Sequence, residues 1–206
     1  MTNISLCKQD PIYFAERAIR IRPIDQHPSR YDTFDAKDGI LCIQEMISLN
    51  TCQRQSLEAM SYKNENVLRF HSRPRSGRTT TACIFSLWQA LNNNDSHTII
   101  VSNEPWSTTS MLGNMCITLA DSNSWPVVTK QKIKSSGELL YGAFKFGGTS
   151  TIRILKPDEF ASTKIPCSSI ILDVQSPTQD EQDHVDVITS IRATLIDAGG
   201  YFNTIL

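Results

Sequence analysis

Apolar residues in this chain gather into short runs whose spacing alternates between two periods. Val67-Leu68-Arg69-Phe70 reads as a strand, and the next stretch, Thr79 to Leu91, repeats Ala82, Ile84, Phe85, Leu87, Trp88 and Leu91 at helical spacing. Four polar residues, Asn92 to Asp95, break that helix, and His97 to Val101 forms the next strand. A second helix starts at Pro105 or Ser107 and runs to Ala120, since proline suits a first helical turn. Between Trp125 and Leu155 the pattern is strand-rich: Val127-Val128, Leu139-Leu140-Tyr141 and Thr151 to Leu155, with Gly147-Gly148 as a tight turn. Ser169-Ile170-Ile171-Leu172-Asp173 is almost continuously apolar, as expected of a strand covered on both faces. A helix over Gln179 to Asp197 carries Val185, Val187, Ile188, Ile191 and Leu195; Gly199-Gly200 stops it, and Tyr201 to Leu206 is a last strand. Strands alternating with helices predict an α/β three-layer sandwich with a mostly parallel central sheet.

The first part of the chain follows neither period. From Met1 to Asp38, Pro11, Pro23 and Pro28 interrupt short apolar pieces, which suits an irregular arm or short strands better than a core helix. The one helical option there places Pro11 in a first turn before Tyr13, Phe14, Ala15 and Ile19, with Asp10 as the cap. Residues 1–38 are therefore expected as an arm packed on a core of residues 39–206. Ile40 to Met60 reads as one or two helices with a break near Asn50-Thr51.

Composition narrows the function classes. A length of 206 residues allows one α/β domain with a short appendage. With 40% hydrophobic residues, 20% charged residues and a net charge of -1, a folded protein is expected, and a disordered acidic or basic tail is not. Cys7, Cys42, Cys52, Cys83, Cys116 and Cys167 are scattered without a CxxC or Cys/His cluster, which points to reduced, mostly buried thiols in a reducing compartment. No secretory leader and no apolar stretch of membrane-spanning length is visible, so a cytoplasmic, membrane-free protein is expected.

The candidate chemistry sits between the first strand and its helix, at Ser72-Arg73-Pro74-Arg75-Ser76-Gly77-Arg78-Thr79-Thr80. A phosphate-binding loop of the Walker A type is GxxxxGK[ST] between a strand and a helix. Here Ser72 replaces the first glycine and Arg78 the lysine, while Gly77 and Thr79 keep the second glycine and the hydroxyl. The setting still suits polyphosphate: N–H groups through Ser76, Gly77, Arg78, Thr79 and Thr80 would converge on phosphate oxygens at a helix start. Arg78 preserves positive charge on a larger planar fork, and Arg73 and Arg75 add more. Asp173, at the end of an apolar strand, is placed to pair with Thr79 around Mg²⁺, as a Walker B acid does. Val174 follows it and has no proton-accepting atom; Gln175 could position water only weakly. Glu104, Glu138, Asp158 and Glu159 are substitute acids by loop placement alone. His27, His71, His97 and His184 form no catalytic constellation in sequence.

Three stretches together, Asp10-Pro11-Ile12-Tyr13-Phe14, Ser72 to Thr80 and Ile170-Ile171-Leu172-Asp173, resemble the N-terminal ATPase domain of the large terminase subunit, the motor that packages DNA into tailed-phage capsids. Gly147 to Ile152 is similar to the glycine-containing hairpin that precedes Walker B in that family. The resemblance implies a P-loop NTPase-like core and ATP or ADP with Mg²⁺. It assigns Gln53 or Gln55, with Gln55 favoured, to the adenine-recognising glutamine, and Arg75 to the family's loop arginine. It also implies a packaging ATPase, portal or capsid-associated protein as partner, contact with double-stranded DNA, and the cytoplasm of an infected host cell. Ser72, Arg78 and Val174 depart from the pattern, and the end at Leu206 leaves no room for a nuclease domain. A truncated terminase-like protein is the expectation, one that binds nucleotide with weak or absent hydrolysis and regulates or assists packaging. An active small packaging ATPase and a non-enzymatic protein retaining only the fold are the alternatives. Arg17, Arg20 and Arg22, or Lys130, Lys132 and Lys134, are the stripes that could touch a DNA backbone; charge alternation in a solvated strand is the more common explanation.

Overall fold

A computed structural model describes residues 4–19, 22–23, 48–61, 65–68, 77–121, 129–131, 134–135, 138–139, 142–146, 149–162, 166–174 and 179–205. The described elements in chain order are α1 (Ile4–Gln9), α2 (Pro11–Arg17), β1 (Arg22–Pro23), β2 (Ser48–Leu49), α3 (Thr51–Met60), β3 (Glu65–Leu68), α4 (Arg78–Asn92), β4 (His97–Ser102) and α5 (Pro105–Asp121). They continue as β5 (Thr129–Gln131), β6 (Lys134–Ser135), β7 (Glu138–Leu139), β8 (Gly142–Lys145), β9 (Thr151–Leu155), α6 (Pro157–Ser162), β10 (Ser169–Asp173), α7 (Gln179–Ser190), α8 (Arg192–Asp197) and β11 (Tyr201–Ile205).

The main sheet has seven strands in the order β3-β11-β10-β4-β9-β8-β5. Every neighbouring pair from β3 to β9 is parallel, and β8 and β5 add an antiparallel margin. Side-chain alternation along each strand sorts residues between two layers. Ile100 of β4, Ile152 and Ile154 of β9 and Ile171 of β10 face a core shared with Phe85 of α4, Leu112 of α5 and Phe14 of α2. Their chain neighbours Ile99, Val101, Leu155, Ile170 and Leu172 face the opposite core with Phe160 of α6 and Ile188 of α7. All five residues of β10 are buried, so the apolar run does belong to a strand covered on both sides. The fold is a three-layer α/β sandwich with a mostly parallel central sheet.

In place of an irregular form, residues 4–17 take helices, and α2 is the helical option read from Pro11 in a first turn with Asp10 as its cap. Asp10 Oδ1 accepts the Ile12 N–H at 2.7 Å, Pro11 occupies the first turn, and α2 buries Phe14 and Ala15. The proline starts this helix instead of preventing it, because a first-turn residue needs no N–H acceptor. Trp88 Nε1 and Asn92 Nδ2 of α4 donate to the carbonyls of Cys7 and Lys8 at 3.1 and 3.0 Å, tying α1 to α4.

Two further differences concern the C-terminal part. The expected helix over Gln179 to Asp197 is divided into α7 and α8 at Ile191, whose N–H bonds to the Ile188 carbonyl three residues back. Gly199, at φ 76°, then turns the chain, with the Gly199 and Gly200 N–H groups returning to the Ile196 and Leu195 carbonyls. The strand that follows, β11, lies inside the sheet, pairing β10 on one side and β3 on the other. Cys7, Cys83 and Cys116 are buried, and burial pushes the Cys167 thiol up to about 11, in keeping with unreactive structural thiols. Among the described residues, no helix is long and apolar enough to cross a membrane.

Candidate functional site

The C-terminal ends of the parallel strands bring the start of α4 and the end of β10 together. Residues 69–76 lie outside the described residues, so the phosphate roles expected of Arg73, Arg75 and Ser76 fall there, as does His71. From Gly77 onward the geometry is defined. Gly77 caps α4 at φ 89°, ψ 11°, the left-handed region that favours glycine. Its carbonyl accepts the first helical bond, from the Thr81 N–H at 3.0 Å. The N–H groups of Arg78, Thr79 and Thr80 therefore precede the first intrahelical donor, Thr81, and form a donor cluster at the positive end of the helix dipole.

Gln53 fixes this start from behind. Its Nε2 donates to the Gly77 carbonyl at 3.1 Å, and its Oε1 accepts the Asn50 N–H at 2.9 Å. Asn50 Oδ1 in turn accepts the Gln53 N–H at 2.9 Å, completing a capping box at the start of α3. Gln53 is only 2% exposed, whereas Gln55 lies on the exposed side of α3. Of the two glutamines weighed from sequence, Gln53 is the one joined to the loop. The signal that finds it is Asn50-Thr51-Cys52-Gln53, a capping-box spacing that the helix-break reading passed over. Gln53→Ala removes the partners of two backbone groups, and the expected loss of stability is about 1–3 kcal/mol, read from the urea unfolding midpoint. An unchanged midpoint would show that the contact does not hold the loop.

Asp173 stands at the end of β10, in register with Ser102 of β4. Thr79 Oγ1 donates to Asp173 Oδ2 at 2.8 Å, and Arg78 Nε lies 2.8 Å from Asp173 Oδ1. The Arg78 contact is ionic without an aligned N–H; among the described residues neither Nε nor Nη1 of Arg78 has a hydrogen-bond acceptor. The side chains are 17% and 1% exposed for Arg78 and Asp173, so the pair is well removed from water. Burial pushes the Asp173 carboxyl above its ordinary value; the Arg78 charge and the Thr79 hydroxyl pull it back, Glu104 adds to the rise, and the net direction is up.

The helix start and the Arg78 side chain bring donors and a positive charge to the end of β10. The helix start and a guanidinium with an unsatisfied buried Nη1 offer donors to phosphate. The two expected metal ligands, Thr79 and Asp173, do come together, yet they bond directly to one another, and the remaining carboxylate oxygen faces Arg78. Among the described residues, no group of three or more His, Cys, Asp or Glu side chains could hold a metal ion.

The other candidates fall into structural positions. Val174 is buried with Leu172 and Ile188, so the position after Asp173 is occupied by core packing. Glu159 Oε2 accepts the Lys156 N–H at 2.9 Å and caps α6. Glu104 precedes α5 near Asp173, Asp158 starts α6, and Glu138 lies on β7; Gln175 falls outside the described residues. His97 Nδ1 is 3.0 Å from Thr151 Oγ1, at the opposite end of β4 from the candidate site, and His184 lies on α7. Arg17, Arg22, Lys130 and Lys134 lie on α2, β1, β5 and β6, whereas Arg20 and Lys132 are outside the described residues. The expected glycine turn Gly147-Gly148 is likewise outside them; β8 and β9 on either side are antiparallel neighbours, as in a hairpin.

No protein-family model and no curated protein matches the chain. Its fold is similar to the solved ATPase domain of the large terminase of Thermus phage P74-26, with a TM-score of 0.50 and 13% identity, covering 77% of this chain and 64% of that one. A single-substitution mutant of the same domain matches with a TM-score of 0.50 and 14% identity, covering 77% of this chain and 65% of that one. The chain thus spans less than two thirds of either terminase domain, and the likeness is one of fold.

Proposed function

We propose that this chain is a terminase-type nucleotide-binding protein with weak or absent hydrolysis. In this reading it acts as a regulator or accessory of viral DNA packaging in the cytoplasm of an infected cell. The observation that carries the reading is the start of α4, where Arg78 and Thr79, following Gly77, meet Asp173 at the end of the parallel strand β10. Helix N–H groups without intrahelical acceptors and a largely buried guanidinium together suit the phosphates of ATP or ADP. Arg75, Ser76 and Thr80 would complete the phosphate side. Gln55, exposed on α3, is the proposed contact to the base.

Weak turnover follows from two positions. Arg78 cannot follow a transferring phosphoryl group as a flexible ammonium does, because its guanidinium is planar and already engaged with Asp173. Val174 places a methyl-bearing side chain in the core where a water-activating carboxylate would be needed. Glu104 favours the second reading, a working small ATPase, since its charge acts on Asp173 and it is the one substitute acid with a physical link to the site. Partners of the packaging type, whether a motor ATPase, a portal or capsid-associated protein or double-stranded DNA, are proposed on fold likeness alone.

Saturable ATP or ADP binding with phosphate release close to the enzyme-free rate is the expected outcome when both are measured on one sample with Mg-ATP. Sustained release abolished by Asp173→Ala and by Glu104→Gln would establish the second reading instead. Absence of saturable binding to ATP, ADP and GTP would remove the nucleotide from the account.

A further inference from the structure

We infer that the open face of the sheet margin, carrying Lys145 and Arg153, docks the phosphate backbone of double-stranded DNA. The inference rests on the DNA contact included in the reading above and adds the surface that makes it; it does not depend on the nucleotide.

The helix layer of α6, α7 and α8 does not cover the whole sheet. Among the described residues its core takes Ile99 and Val101 of β4, Ile170 and Leu172 of β10 and Phe202 of β11, but of β9 only Leu155, and no residue of β8. On the other side of the same two strands, Phe144, Ile152 and Ile154 are buried in the core shared with α4 and α5. Alternation therefore turns Lys145, Thr151 and Arg153 to the uncovered side, where Lys145 is exposed and Thr151 and Arg153 are half-buried. Register sets Lys145 opposite Thr151, with Arg153 two residues farther along β9. Such diagonal neighbours stand about 7–8 Å apart, so the two cations lie side by side and can meet neighbouring phosphates of one strand.

The charge on this face is unopposed. Among the described residues neither Lys145 nor Arg153 has an ion-pair partner. Asp95, the carboxylate at the edge of the face, is taken up by His97, whose Nε2 lies 3.3 Å from its Oδ1, and by the Thr149 hydroxyl. In a chain of 20 basic and 21 acidic residues, two adjacent unpaired cations are a local feature of this face and not a consequence of overall charge.

What the face lacks selects the partner. The exposed large apolar side chains among the described residues are Leu6, Trp106, Val187 and Ile191, and none of them lies on β8 or β9. A protein partner would need an apolar anchor there, and single-stranded nucleic acid an aromatic platform. A duplex backbone needs neither, since Lys, Arg and hydroxyl groups meet its phosphates without reading sequence.

The experiment is a fluorescence-anisotropy titration of the full chain into a short labelled DNA duplex over a series of salt concentrations. The wild type is expected to bind at low salt, and the slope of log affinity against log salt to fall by about 0.9 in Lys145→Ala, by about 0.9 in Arg153→Ala and by about 1.8 in the double variant. The exchange Lys145→Arg with Arg153→Lys keeps both charges and should keep the slope. Lys8→Ala removes an exposed charge from α1, in the opposite layer, and should also leave it unchanged. If the double variant does not fold, the two single variants carry the test. An unaltered slope in the alanine variants, a lost slope in the charge-preserving exchange or an equal fall in Lys8→Ala overturns the inference and leaves DNA contact elsewhere on the chain standing. Displacement of the duplex by poly-glutamate at equal charge assigns the face to an acidic protein segment and overturns it too. No duplex binding by the wild type at low salt removes DNA from the reading above, and the inference with it.

Discussion

Gly77→Ala is expected to lose about 2–5 kcal/mol of stability and to abolish nucleotide binding, because two independent penalties meet at this residue. At φ 89° a side chain is held in the left-handed region, at roughly 1–2 kcal/mol for a residue with a Cβ. The added Cβ would also stand 2.3 Å from Gln53 Nε2 and 2.6 Å from its Cδ, so Gln53 must withdraw and α3 lose its hold on the loop. Overpacking of this kind adds about 1–3 kcal/mol. Urea unfolding of Gly77→Ala, Gln53→Ala and the double variant separates the parts. The clash disappears in the double variant while the backbone penalty persists, giving a coupling of about 1 kcal/mol or more. Additive losses would mean that Gln53 yields freely.

Asp173→Ala is the second large effect. It leaves Arg78 charged, mostly buried and without its carboxylate, and removes the acceptor of the Thr79 hydroxyl. Stranding one member of such a pair destabilises by about 3–5 kcal/mol, whereas the paired replacement Arg78→Met with Asp173→Leu is expected to be nearly neutral. The raised Asp173 carboxyl points the same way. Burial outweighs the attraction of Arg78, so the ionised pair is not a net source of stability. In the window between the ordinary carboxylate value and the raised one, the folded state binds more protons than the unfolded state. This group's contribution is therefore fully present below the ordinary value and is lost as pH rises through the raised value. Asp173→Asn should remove that component from the pH dependence of the unfolding midpoint above the ordinary carboxylate value. An unchanged profile would place the titration elsewhere.

Much of this fold is legible in sequence because local period and burial agree. The apolar run of β10 can be satisfied only between two layers, and the spacing of Ala82, Phe85 and Leu87 suits a helix packed on a sheet. The site is legible in part for the same reason: a glycine, a hydroxyl and an acid fall at the ends of strands that a parallel sheet draws together. What sequence does not carry is the outcome of long-range competition. Apolar periodicity runs through Ile191, so the division into α7 and α8 is invisible, and β11 shows its place between β3 and β10 only once the sheet is assembled. Gln53 and Gln55 differ by two helical positions, roughly 200° around the axis, which turns one into the core and the other to solvent. The direct engagement of Arg78 with Asp173 depends on side-chain reach across 95 positions of chain, which no local pattern records.

The claim on which everything else depends is that the start of α4 seats a nucleotide polyphosphate that is held and not turned over. Single-turnover mixing of excess protein with labelled ATP, on the wild type and on Arg78→Ala, tests it in one measurement. The account predicts that the wild type retains labelled ATP uncleaved over many minutes and that Arg78→Ala retains none. Rapid conversion to ADP by the wild type, or equal retention by both proteins, would contradict it.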